Sequence, residues 1–286
     1  ATLYQAAVRT LLDEDGLGTG IERRGRILKL LTALKQICNH PAHYLGETDP
    51  LAGCFVKDTA TTEMLAEVVD ADDRALVFTQ YREMGELLVR HLTSTLGLPS
   101  APFLHGGVTR ARRDAMVDAF QDGSGPPILV VSLKAGGTGL NLTGATHVVH
   151  YDRWWNPAVE DQATDRAYRI GQTRTVNVHK LVTGGTLEER IATLLDDKRA
   201  IADAVVGTGE TWLAELSDDD IRALVELSSY DIGEPDENGD TGDTDEPDGR
   251  RVRGRANGRV RRAGAAGVAA ATLAPVAPAT VGRGGR

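Results

Sequence analysis

Apolar residues along the chain follow two different rhythms. Up to residue 45 they recur at three- and four-residue spacing, in LYQAAVRTLL and again in ILKLLTALKQI, with the Gly-rich GLGTG between them, so residues 1–45 read as helical. CNHPAHYLGETDP reads as a loop, and residues 60–70 as a short amphipathic helix. From Arg74 onward, short apolar runs alternate with helical patterns. RALVFTQ (74–80), PFLHGG, PILVVSL (127–133), THVVHYD (146–152) and TVNVHKLV (175–182) read as strands. Helices are expected in REMGELLVRHLTSTLG, in TRARRDAMVDAFQ with Thr109 at its N-cap, after residue 156, and in TLEERIATLLDDKRAIADAVV. This alternation predicts an α/β fold, a mostly parallel sheet with helices on both faces.

The last segment breaks the pattern. DIGEPDENGDTGDTDEPDG is acidic and nearly free of large apolar residues, and RRVRGRANGRVRR is its basic counterpart. Neither can bury a core, so residues 233–286 are expected to be a disordered acidic-then-basic tail. Its basic run can touch phosphates nonspecifically, or pair with the acidic half.

Composition narrows the class. The chain of 286 residues is 41% hydrophobic and 26% charged, ordinary for a globular protein. No apolar run approaches the roughly 20 residues of a membrane span, and the start lacks a signal-peptide pattern. Two cysteines imply no disulfide framework, so a cytoplasmic setting is expected. The chain begins without Met in mid-helix pattern, which suggests a fragment. The net charge is −9, of which the tail carries +1 and the rest −10. That balance counts modestly against DNA binding by this chain alone, although a local basic face is compatible with it.

In an open parallel sheet, ligands sit outside the carboxyl ends of the strands. HGG (105–107), LKAGGTGLNL (133–142) and RWWNPAVEDQ (153–162) each follow a strand, so all three share one rim. KAGGTGLN is a Gly-rich turn, either one whose backbone N–H groups approach an anion or a tight turn with no ligand. It is not a nucleotide phosphate loop, because none of the six lysines follows a glycine. In NPAVEDQATDRAYRIG, Asn156 suits an N-cap, Pro157 the first helical position, Glu160 and Asp161 the dipole of the first turns, and Gly171 the position past the end. Gln162, Asp165, Arg166 and Arg169 then share one helix side, which is either a solvated face or one aimed at a phosphate. Asp165 can pair with Arg169 or orient Arg166. Of Trp154 and Trp155, at least one is expected to pack under the rim, and an exposed partner to face DNA. Cys38, His40, His43 and Cys54 have a spacing that fits no common structural zinc pattern. No Ser-His-Asp or paired-carboxylate constellation stands out.

Taken in order, these segments resemble the second RecA-like lobe of Swi/Snf-type DNA-translocating ATPases, a branch of the superfamily-two helicases. LKQICNHP resembles the helical lead-in, ALVFTQY motif four, SLKAGGTGLNLTGATHVVHYDRWWNP motif five and its extension, and DQATDRAYRIGQ motif six. The resemblance covers residues 1–230 and departs at Tyr168, where the family usually carries His. It implies a helical lead-in at 1–57 and the RecA-like lobe with trailing helices at 58–232.

The resemblance implies a mechanism. ATP lies between two lobes, and the first lobe holds Mg²⁺ and most of the nucleotide. Arg166 and Arg169 match the arginine fingers of the second lobe, with Gln162 and Asp165 aligning them. Gly137 and Gly139 shape the loop between the nucleotide cleft and DNA. His105, Gly106, Ser132 and Lys134 match the DNA-facing rim, where contacts to duplex phosphates are sequence-tolerant, and Trp155 is the tryptophan expected to face DNA there. With no Walker A or B motif of its own, the isolated chain is expected neither to bind ATP tightly nor to hydrolyse it. Rival readings are a strand-separating helicase of the same superfamily and a stand-alone, non-catalytic binding module.

Overall fold

The computed structural model describes residues 1–12, 18–47, 56–98, 100–136, 139–201, 213, 215–228 and 268–273. Five parallel strands form the centre: β1 (Ala75–Thr79), β2 (Phe103–Leu104), β3 (Ile128–Ser132), β4 (His147–His150) and β5 (Asn177–Thr183). Their order across the sheet is β2-β3-β1-β4-β5. β1 and β3 are buried at every residue, which explains why ALVFT and ILVVS are continuous apolar runs rather than alternating ones.

Helices cover both faces, as the alternation predicted. On one face, Leu76, Phe78, Leu129 and Val131 pack with Phe120 of α6 (Arg110–Asp122), Ala135 of α7 (Leu133–Gly136) and Ala163 of α8 (Pro157–Thr164). On the other, Ala75, Val77, Ile128 and Val130 pack with Leu65 and Val68 of α4 (Val56–Asp70) and Leu87, Leu88 and Leu92 of α5 (Arg82–Thr95). α5 approaches β2 so closely at Gly85 that an added Cβ would lie 2.2 Å from the Phe103 ring. Thr109 does take the N-cap position of α6, without a side-chain cap bond.

A third cluster lies outside the sheet. α1 (Thr2–Leu12) and α2 (Gly20–Asn39) share it with α9 (Leu187–Ile201) and α10 (Asp218–Val225), through Leu30, Leu31, Leu34, Leu187, Ile191, Ile221 and Leu224. The trailing helices therefore complete the core of the lead-in. A buried ion pair, Lys57 Nζ to Glu188 Oε2 at 2.7 Å, ties α4 to α9 across this junction.

Two segments differ from the sequence expectation. The loop expected at CNHPAHYLGETDP contains α3 (Pro41–Leu45), because Pro41 suits a first helical turn and His40 Nδ1 caps it by accepting from Ala42 N at 3.0 Å. Within the expected tail, β6 (Val268–Leu273) lies antiparallel on β5, whose outer edge offers unpaired backbone groups to a strand-compatible VAAATL run. The rest of the tail, Cys54 and Gly137 lie outside the described residues.

Candidate functional site

Because β1 to β5 are parallel, His105 and Gly106 after β2, Lys134 after β3 and Arg153 to Trp155 after β4 all leave the same rim. The HGG loop is turned by His105 Nδ1, which accepts from Gly107 N at 3.1 Å, leaving Gly106 exposed. Lys134 is exposed on α7, while Ser132, the last residue of β3, is only 7% exposed.

Asn156 and Pro157 start α8 as their residue types require, and Asn156 Oδ1 accepts from Ala158 N at 3.1 Å. The helix then ends at Thr164, earlier than expected from the spacing. Asp165 is its C-cap, and Arg166 and Arg169 lie in the turns that follow. Leu142 N donates to Arg166 O at 2.9 Å, so that carbonyl is taken by the motif-five loop. Arg166 N and Ala167 N bond back three residues, to Ala163 O and Thr164 O, tightening the turn. Gly171, at φ 105, closes these turns in a conformation that only glycine adopts without strain.

The turns are sewn to the 139–145 loop. Arg169 Nη1 donates to Gly139 O at 3.1 Å, and Gln172 Nε2 donates to Thr143 O and Ala145 O, both at 2.9 Å. Gly139 itself has φ 72. Arg166 is 5% exposed, and its Nε has no hydrogen-bond partner among the described residues. Burial, then the neighbouring Arg169 cation, lowers its pKa, and Asp165 opposes that shift. A guanidinium remains charged under such a shift, so Arg166 is a buried cation with one donor left without a described partner. Gln162, Asp165 and Arg169 are exposed.

Trp155 requires correction as a DNA-facing residue. It is 2% exposed, packs in the lead-in cluster, and lies under the Lys35 ammonium at 4.2 Å from the ring centroid. Trp154 is half-buried against the sheet cluster. The rim loop turns there because Asp152 is held from three sides: it accepts from the Thr79 hydroxyl, from Gln80 N at 2.9 Å and from Asn39 Nδ2 at 3.4 Å.

Sequence reasoning also missed a charge cluster beneath α8. Glu160, expected only to favour the helix dipole, is fully buried and accepts from Arg153 Nε at 2.7 Å and Trp154 N at 2.9 Å. Its other oxygen lies 2.8 Å from Lys180 Nζ. Burial pushes its carboxyl up, but Arg153, His150 and Lys180 outweigh that and hold it at about 2. The only signal in the sequence was a lysine, Lys180, inside an apolar strand.

Around Cys38, burial pushes the thiol up to about 12, and among the described residues no group of three or more His, Cys, Asp or Glu could hold a metal ion. No helix among the described residues is long and apolar enough to cross a membrane.

Parallel strands with one loop-lined rim and an arginine pair beside a Gly-rich turn define a helicase-type lobe. Residues 58–171 match the helicase conserved C-terminal domain. The chain is similar to the putative ATP-dependent helicase/translocase YwqA of Bacillus subtilis, 48% identical over 231 residues, covering 80% of this chain and 25% of that protein. Among solved structures it is similar to the Sulfolobus solfataricus SWI2/SNF2 ATPase C-terminal domain, 38% identical with a TM-score of 0.66, covering 79% of this chain and 92% of that one. It is also similar to the core of that ATPase in complex with dsDNA, 40% identical with a TM-score of 0.69, covering 79% of this chain and 47% of that one. The chain belongs to the SWI2/SNF2 ATPase family, as its C-terminal RecA-like lobe. It spans a quarter or less of the length of the curated relatives it matches.

Proposed function

We propose that this chain is the second lobe of an ATP-driven motor that moves along duplex DNA, and that Arg166 and Arg169 act on ATP held by the first lobe. The observation that carries this reading is Arg166, a buried cation whose Nε has no partner among the described residues, three residues before Arg169, which bonds the 139–145 loop. Guanidinium groups suit the charge that spreads over a transferring γ-phosphoryl, and such a finger contributes on the order of a thousand-fold or more to turnover. Gln162 and Asp165 flank the pair and help align it. The bond from Arg169 to Gly139 couples the arginines to the loop that also carries Gly137.

On this reading His105, Gly106, Ser132 and Lys134 touch DNA phosphates rather than base edges, which makes binding salt-sensitive and sequence-tolerant. The dsDNA complex of the Sulfolobus relative supports that assignment. Mg²⁺ and the phosphate loop belong to the first lobe.

Steady-state ATPase assays test the proposal on two proteins, this chain and the full-length motor. This chain alone is expected to give no DNA-stimulated turnover, and the full-length protein to be stimulated by duplex DNA. Turnover by this chain alone would overturn the division of labour between lobes. Stimulation by single strands together with unwinding would instead assign strand separation. No turnover by either protein would point to a binding module.

A further inference from the structure

Glu160 lies in the first turn of α8, six residues before Arg166, and it is the point at which three elements meet. One carboxylate oxygen holds Arg153 and the Trp154 backbone N–H, so it fixes the loop after β4. The other faces Lys180 of β5 at 2.8 Å. Arg153 and Lys180 are 5% and 4% exposed, so both pairs are shielded from water and salt. The far end of α8 has a second tie, His150 Nε2 to Thr164 Oγ1 at 3.0 Å. An eight-residue helix held at both ends cannot slide or rotate without breaking one of these contacts. The chain passes directly from it into the turns that carry Arg166 and Arg169.

We infer that Glu160 is a positioning residue for the Arg166–Arg169 pair, fixing α8 against β5 and the Arg153–Trp154 loop, a role that rests on the arginine assignment above. Its carboxylate touches no reacting atom. The charge balance explains why a carboxylate is required here: Glu160 is the acidic partner of two buried cations. A neutral side chain would leave both without an anion. A shorter acid would keep the charge but draw the start of α8 inward. In a phosphoryl-transfer site, a displacement of about 1 Å lowers turnover by on the order of 100-fold.

The test uses full-length motor with saturating duplex DNA, and four readouts: kcat, KM for ATP, Kd for duplex DNA and thermal melting. Glu160→Asp is expected to lower kcat by about tenfold or more, with KM and Kd within about twofold and the protein fully folded at the assay temperature. Lys180→Met leaves the Arg153–Glu160 pair neutral and cuts only the tie to β5. It is expected to give the same pattern and serves where Glu160→Asp fails to fold. On a background carrying both Arg166→Ala and Arg169→Ala, neither change is expected to lower kcat further, because the pair they position is gone. Wild-type kcat in folded Glu160→Asp and Lys180→Met would overturn the inference. So would a loss that adds in full to that of the Arg166→Ala, Arg169→Ala double variant, or one that merely follows the unfolded fraction. Wild-type turnover in Arg166→Ala itself would remove the arginine assignment, and the positioning role with it. An inactive Arg166→Ala beside a normal Glu160→Asp would sink only the role of Glu160.

Discussion

Lowering the pH from 7 to 5 is expected to cost this lobe about 5 kcal/mol of stability through its buried histidines. Burial is the main cause. It pushes His43, His150 and His179 from 6.5 down to about 4. The unfolded chain, with ordinary imidazoles, takes up protons first as pH falls. Stability is therefore full above about pH 6.5 and declines toward pH 4. Between pH 7 and 5, a shift of this size corresponds to about 2 kcal/mol for each of His43 and His150. His179 is half-buried and shares a 3.2 Å contact with His147, so its share is reduced to about 1 kcal/mol. The sum, about 5 kcal/mol, compares with a total of about 5–15 kcal/mol for a typical domain. Glu160 acts in the same direction only below its ordinary range, since its folded value is held at about 2. Asp152, raised by burial, acts in the opposite sense at acid pH. Urea denaturation of this chain, followed by circular dichroism at pH 7, 6 and 5, reads the effect directly. His150→Gln removes one titrating ring and should shrink the loss by about 2 kcal/mol. Equal stability at pH 7 and 5 would refute the reasoning from burial.

Two further outcomes probe packing. Gly85→Ala would place a methyl group into the Phe103 ring, so α5 and β2 must separate, and a loss of about 1–3 kcal/mol is expected in the same denaturation assay. Lys57→Met would leave Glu188 as a buried anion without its cation, at a cost of about 3–5 kcal/mol, whereas Lys57→Met with Glu188→Leu should recover much of that loss.

The parts of the molecule legible in the sequence are those governed by local rules. ALVFT and ILVVS announce strands buried on both faces, and their order places the three rim loops together. Asn156 and Pro157 announce the start of α8 by capping chemistry alone. The end of α8 was not legible: the backbone tightens at Arg166 and Ala167, and a loop 24 residues earlier reaches Arg166 O through Leu142 N. Helical spacing through Arg169 gave no warning of that bond. Trp155 illustrates the same limit. Its position after a strand suggests an exposed rim residue, and its burial is decided by Lys35 and the lead-in helices. Glu160 was assigned to the helix dipole because its two cations, Arg153 and Lys180, come from other elements of the fold. Local propensity thus placed the strands and the start of α8, while long-range contacts determine how the charges beside them are held.

The central claim is that Arg166 and Arg169 complete an ATP site whose remainder lies on the first lobe. Single-turnover ATP hydrolysis by full-length Arg166→Ala and Arg169→Ala motors, at saturating duplex DNA, tests it most directly. The expected result is a loss of about a thousand-fold in the hydrolysis rate with duplex affinity largely kept. Wild-type hydrolysis rates in both variants would contradict it.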